Sequence, residues 1–99
     1  MANKENGYNP SIFDTKYGEC FYCGLQVDTA RHEVYYGRPN RNKAKRMGFW
    51  VNLCPPCHRE VHGHPNDGID LYLKQQGQIR WEKISTREQF IKEWGRSWL

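Results

Sequence analysis

No stretch of this chain comes near the roughly 20 consecutive apolar residues that a bilayer-spanning helix requires. The first residues hold no apolar run behind Lys4, so no secretory signal is expected, and the reading is a cytoplasmic protein with no membrane partner. Apolar residues are scarce for a globular chain, at 37%, with a mean hydropathy of -0.96. A domain of 99 residues buries only about two-thirds of its unfolded surface, so a core this lean needs a staple. Full disorder is excluded by the 14% of aromatic residues, which include four tryptophans and six tyrosines. Internal repeats, linkers and low-complexity tracts are missing too, which points to a single domain over residues 1–99.

Cysteine is sparse, and its placement is informative. The four cysteines form two pairs, Cys20-x-x-Cys23 and Cys54-x-x-Cys57, separated by 31 positions. In a reducing compartment such pairs read as metal ligands rather than disulfides. A thiolate pair at this spacing grips Zn²⁺ from one turn, and two pairs complete a tetrahedral structural site. Gly24 behind Cys23 suits the tight turn of a zinc knuckle. A thioredoxin-like redox motif fits less well, since no βαβ pattern surrounds either pair. A four-thiolate site has no open position, so it is silent on catalysis.

The chain carries a net charge of +4 and a pI near 9.0. Arg38, Arg41, Lys43, Lys45 and Arg46 fall within nine residues with no acid among them. Such a cluster attracts polyanions, most often nucleic acid, although a solvated basic loop gives the same pattern.

Along the chain, residues 1–11 read as a flexible or loosely docked arm. Val34, Tyr35 and Tyr36 favour a strand over 31–37. Residues 37–48 read as a long loop with at most a helical turn at Lys43–Met47. Phe49, Val51 and Leu53 alternate onto one face of a second strand over 49–53, which pairs with the first as a hairpin. Prolines at 55 and 56 suit a helix's first turn, and Gly63 and Pro65 stop it, giving a helix over 56–62. A further helix is expected over 69–83, with Ile69, Tyr72, Leu73 and Ile79 as its apolar face and Gly77 as its weak point. Thr86-Arg87-Glu88-Gln89 is a capping box for a last helix ending near Gly95, with Phe90, Ile91 and Trp94 as its stripe. Trp98 and Leu99 are expected to tuck under the fold. The class is α+β: a small strand–loop–strand–helix core over 18–64, stapled by zinc, with a helical extension over 68–99.

Three histidines complete the pattern. His58 and His62 are four apart, so on a helix they share a face and can chelate one ion. His32 lies on the other arm of the hairpin and would face them across a cleft. Helical histidines at this spacing are also common as plain surface residues. His64, between Gly63 and Pro65, reads as one of those.

Cys20-x-x-Cys23, Arg31-His32-Glu33-Val34 and Asn52-Leu53-Cys54-Pro55-Pro56-Cys57-His58 with His62 together resemble the HNH, or ββα-metal, endonuclease family. The resemblance spans about residues 18–64, and extends loosely to small phage-encoded members, including recombination-associated nucleases. It implies hydrolysis of a DNA phosphodiester with Mg²⁺ or Mn²⁺ held by His58 and His62. The family places an Asp or His ligand just before its general base, whereas this chain has Arg31 there. Two assignments follow. His32 is the base and the ion rests on His58, His62 and water, which is the favoured one, or His32 is itself a ligand and Glu33 is the base. The motif's middle asparagine is assigned to Asn40 in preference to Asn42 or Asn52. The implied partners are DNA and phage recombination or packaging proteins, in the cytoplasm of a bacterial host, with a homodimer as one source of specificity. The competing reading is a non-catalytic zinc-containing nucleic-acid-binding module. A zinc knuckle for protein interaction alone predicts no DNA affinity.

Overall fold

The computed structural model describes residues 7–99. Its sheet is a two-stranded antiparallel hairpin of β1 (Ala30–Glu33) and β2 (Trp50–Leu53), with Ala30 opposite Leu53 and His32 opposite Val51. The first strand is shorter and earlier than the sequence suggests. Val34 still donates to the Phe49 carbonyl at 2.9 Å, but Val34 and Tyr35 then leave the ladder and bury their side chains in the core. Burial, rather than strand propensity, decides where these two residues go.

Between the strands the expected loop is mostly helix, α1 (Asn40–Met47). The segment Asn40-Arg41-Asn42-Lys43-Ala44-Lys45-Arg46-Met47 holds no glycine, proline or β-branched residue to oppose a helix. Lys45 and Arg46 sit in its last turn, where the helix dipole favours cations. Gly48 closes it in the left-handed region at φ 78°, and a Cβ there would meet the Pro10 carbonyl oxygen at 2.3 Å.

Three helices follow: α2 (Pro55–Gly63), α3 (Gly68–Glu82) and α4 (Arg87–Trp94). Thr86 caps α4, its Oγ1 accepting the Gln89 N–H at 3.1 Å, which is one half of the expected capping box. Phe90 and Trp94 of its stripe are buried, while Ile91 and Leu99 are exposed, contrary to expectation. Tyr35 is the hub of the core. Its ring lies 4.6 Å from Trp94, 5.1 Å from Trp98, 5.6 Å from Phe90 and 5.7 Å from Phe49, centroid to centroid.

The buried face of α3 is the clearest correction. Tyr72 and Ile79 are exposed, and the residues facing inward are Asp70, Leu73, Lys74, Gly77 and Gln78. Lys74 pairs with Asp70, and Gln78 is held by residues of the C-terminal tail. Lys74 Nζ lies 2.9 Å from Asp70 Oδ2, Gln78 Nε2 donates to Ser97 Oγ at 2.9 Å, and Gln78 Oε1 accepts the Trp98 N–H at 2.7 Å. Trp98 is thereby pinned under the fold.

Residues 1–6 of the expected arm lie outside the described residues. Residues 7–11 are tied to the hairpin and α1 instead of loose: Asn9 N–H donates to Lys45 O at 3.0 Å, Trp50 Nε1 to Asn9 O at 2.7 Å, and Ser11 Oγ to Trp50 O at 2.6 Å. Among the described residues no helix is long and apolar enough to cross a membrane.

Candidate metal-binding cleft

The first cysteine pair sits on a tight turn. Cys20 N–H donates to Leu25 O and Gly24 N–H to Cys20 O, both at 2.9 Å, with Gly24 in the left-handed region at φ 81°. The second pair opens α2: Cys54 is its N-cap, Pro55 follows, and Cys57 lies one turn in. The four sulfurs all lie within 4.8 Å of one another, and the Cys23 and Cys54 sulfurs are 3.7 Å apart. A tetrahedral site with bonds of about 2.3 Å puts its sulfurs about 3.8 Å apart. The cluster is therefore compatible with a structural metal such as zinc. The thiols already differ in acidity. Burial opposes ionisation of Cys20, but backbone N–H groups of Cys23, Cys54 and Tyr22 outweigh it and bring the thiol down to about 6. Burial, then the neighbouring sulfurs, pushes Cys57 up.

The staple also sets the register of the histidines. Cys57 and Val61 face inward, while His58 and His62, one position further round the helix, face β1. His32 closes the triplet. One ring nitrogen from each of His32, His58 and His62 lies within 4.8 Å of the others, and the His58 and His62 Nε2 atoms are 3.2 Å apart. His32 is 3% exposed, and its Nε2 has no hydrogen-bond partner among the described residues. An orphaned buried nitrogen aimed at two more imidazoles fits a metal site, since an ion there would supply the partner. Three imidazoles are a donor set that zinc, iron or nickel accepts more readily than magnesium or manganese, which prefer oxygen.

Burial favours the neutral, ligand form of two of these imidazoles, His32 and His58. Burial, then the nearby His58, His62 and Lys74, holds His32 down to about 3. Burial and His62 lower His58 as well, against the opposing charge of Glu33. A neutral imidazole donates a lone pair to a cation, but one this weakly basic is a poor acceptor for a proton from water.

The triplet forms one wall of a cleft of about 750 Å³. Glu33, the last residue of β1, reaches into it, accepting hydrogen bonds from the Tyr8 hydroxyl and from Arg41 Nε, the latter at 3.1 Å. Arg31, Arg38, Arg41 and Lys45 also line it. The five-residue basic cluster thus divides. Lys43 instead pairs with Glu93 at 3.0 Å and lies over the Trp94 ring, on the side of α4, and Arg46 is exposed outside the cleft. Asn40 opens α1 and does not line the cleft, whereas Asn42 does. Asn52 is buried and ties β2 to the knuckle region, its N–H donating to Thr15 Oγ1 at 3.0 Å. His64 is exposed, as expected, 3.4 Å from Glu60.

Sequence reading missed Tyr8, Tyr36 and the pair beneath them. The Tyr36 hydroxyl donates to Asp70 Oδ2 at 3.1 Å, and its ring centroid lies 5.8 Å from that of His32 and 5.9 Å from that of His62. Lys74 Nζ sits 4.3 Å from the same ring centroid. The i, i+4 spacing of Asp70 and Lys74 was the one available signal. Compared with protein-family models, with curated protein sequences and with solved structures, the chain finds no match.

Proposed function

We propose that this protein is a metal-dependent endonuclease of HNH type that hydrolyses DNA phosphodiester bonds in this cleft. One observation carries the reading: three imidazoles and a carboxylate converge in a single cleft lined by four cationic side chains. A nucleic-acid phosphate is the anion such a lining suits. Bound at the triplet, a divalent ion supplies Lewis acidity and offsets the charge that develops at phosphorus and on the leaving oxygen.

The chain's own residues then divide the work. His32, His58 and His62 hold the ion. Glu33 takes the proton from the attacking water, and Arg41 and the Tyr8 hydroxyl orient that carboxylate. Arg38 and Lys45 face the phosphate backbone. This is the second of the two sequence assignments, with His32 as ligand and Glu33 as base. It is supported by the burial of His32, its weak basicity and its place in the triplet. Under it, Arg31 no longer occupies a ligand position.

The test is a nicking assay on supercoiled plasmid and on single-stranded DNA with Mg²⁺, Mn²⁺, Zn²⁺ or Ni²⁺. Wild type is compared with His32→Ala and Glu33→Gln, and metal content is measured by native mass spectrometry. Both variants are expected to lose cutting, but only His32→Ala should lose the second metal. Full activity in Glu33→Gln would remove it as base. A second reading, a binding module without catalysis, draws on the engagement of Glu33 by Arg41 and Tyr8. DNA binding with no cutting under any ion is its signature.

A further inference from the structure

The cleft does not stand alone. A second hollow of about 600 Å³ shares Tyr8 and Arg31 with it and continues past Trp50 to Lys16 and Tyr17. A third hollow of about 590 Å³ shares His58 and His62 with it and includes Arg59. The three are one track across the molecule, with the histidine triplet between its ends.

The two ends differ in chemistry. At the Arg59 end the wall is the outer face of α2, and Arg59 makes no ion pair among the described residues. At the other end the floor is aromatic. Tyr17 is 70% exposed, yet its hydroxyl donates to Asp28 Oδ1 at 2.9 Å, so the ring is held in place while a face stays open. The Arg31 guanidinium carbon lies 4.8 Å from the Tyr8 ring centroid and 5.2 Å from that of Trp50, so this cation is held against both rings. Lys16 adds less, since Glu19 lies 3.3 Å from it.

From this continuity we infer that the substrate strand is unpaired where it crosses the protein. Its phosphates pass the triplet toward Arg59, and a base on one side of the scissile bond unstacks onto Tyr17. A paired base in a duplex has its faces covered by its neighbours and cannot use such a shelf, whereas an unpaired base presents a π-face to any aromatic ring. The inference rests on the nuclease reading for the position of the scissile bond, but the track itself concerns binding.

The test is fluorescence anisotropy with zinc-loaded protein and phosphorothioate-linked probes. The probes are oligothymidylates of three, six and nine nucleotides and a mixed-sequence duplex of twelve base pairs. Single-strand affinity is expected to rise from three to six nucleotides and to exceed duplex affinity about tenfold. Tyr17→Ala should weaken single-strand binding about five- to tenfold and leave duplex binding unchanged, and Tyr17→Phe should retain it, because the ring and not the hydroxyl is the platform. Arg59→Ala should lower the salt slope by about 0.7, one phosphate's worth on a single strand. Equal affinity for both probes, with Tyr17→Ala silent, overturns the inference. If no metal supports cutting while Tyr17→Ala still weakens single-strand binding, the nuclease reading fails and the track stands. If cutting is metal-dependent and Tyr17→Ala has no effect on binding, the reverse holds.

Discussion

Gly77 sits in the middle of α3, where glycine costs a helix about 1 kcal/mol relative to alanine. Helix propensity alone therefore predicts that Gly77→Ala stabilises the protein. The packing says the opposite. A Cβ at this position would lie 2.5 Å from Tyr35 Oη, 3.2 Å from Tyr35 Cζ and 3.4 Å from Phe13 Cζ. Tyr35 cannot swing away, because its ring is wedged among Phe49, Phe90, Trp94 and Trp98. Moving it also breaks the bond from its hydroxyl to the Lys74 carbonyl, now 2.7 Å long. Overpacking a rigid core costs about 1–3 kcal/mol and a lost buried hydrogen bond about 1 kcal/mol more. Set against the propensity gain, Gly77→Ala should destabilise by about 1–3 kcal/mol. Tyr35→Phe removes the atom in the way at a cost of about 1 kcal/mol. In that background Gly77→Ala should be nearly neutral, giving a coupling of about 1–3 kcal/mol between the two sites. The assay is urea unfolding of all four proteins at one fixed free-zinc concentration, since bound metal contributes to apparent stability. A stabilising Gly77→Ala, or the same effect in both backgrounds, would refute the claim that glycine is required here by the approach of Tyr35.

Chelation should unfold the protein, because the staple joins the knuckle to α2 across 31 positions, and circular dichroism with and without added zinc reads this directly. His62→Ala should keep that staple and its fold while the number of bound metals falls from two to one by native mass spectrometry. Metal-free in the cleft, His32 and His58 stay neutral in the native state as pH falls, while their unfolded counterparts take up protons near the ordinary value of 6.5. The unfolded state then binds more protons, so stability should fall as pH drops below about 6.5, the His32 contribution continuing toward about 3. His32→Asn should flatten the stability profile between pH 6.5 and 5, and an unchanged slope would count against the buried neutral imidazole. Arg38→Ala and Lys45→Ala should weaken DNA binding and flatten its salt dependence, whereas Lys43→Ala should leave the slope alone and cost about 1 kcal/mol of stability through Glu93 and Trp94.

What the sequence disclosed well was whatever is governed by short spacing. The two Cys-x-x-Cys pairs, the proline-led start of α2, the four-residue step from His58 to His62 and the Thr86 cap of α4 each depend on a few neighbouring residues, and each forms. What it disclosed badly was set by distant partners. The apolar face read onto α3 was half right, with Leu73 buried and Ile69 packed on the core. The other half failed because Tyr72 and Ile79 look like core residues while Asp70, Lys74 and Gln78 do not. Only the fold brings Tyr36, Asn66, Ser97 and Trp98 to bond the polar set. The docking of residues 7–11 was hidden in the same way. Nothing in Gly7-Tyr8-Asn9-Pro10-Ser11 announces that Lys45, Trp50 and Glu33 will hold it.

The site turned on one residue of register. Along a strand, neighbouring side chains point to opposite faces, so His32 and Glu33 cannot both be placed by knowing that one of them faces α2. The sequence offers both as candidates for the base and leaves Arg31 as an anomaly in the ligand position. The pairing of His32 with Val51 fixes the choice of face, because Val51 is buried and His32 is buried beside it, in ring contact with His58 and His62 at 5.3 Å. Glu33 is the last paired residue of β1, and its carboxylate is free of that packed layer, meeting Arg41 of α1 instead. The basic segment read as a loop is therefore tied to the proposed chemistry by its structure. As a helix, α1 carries Arg41 to the carboxylate and Lys45, one turn on, to the Tyr8 ring at 5.1 Å, while Lys43 faces α4. A flexible loop would present five interchangeable charges. A helix sorts its own four, with Arg41 and Lys45 facing the cleft, Lys43 anchored on α4 and Arg46 exposed outside, which is why the single-residue variants above should separate binding from stability.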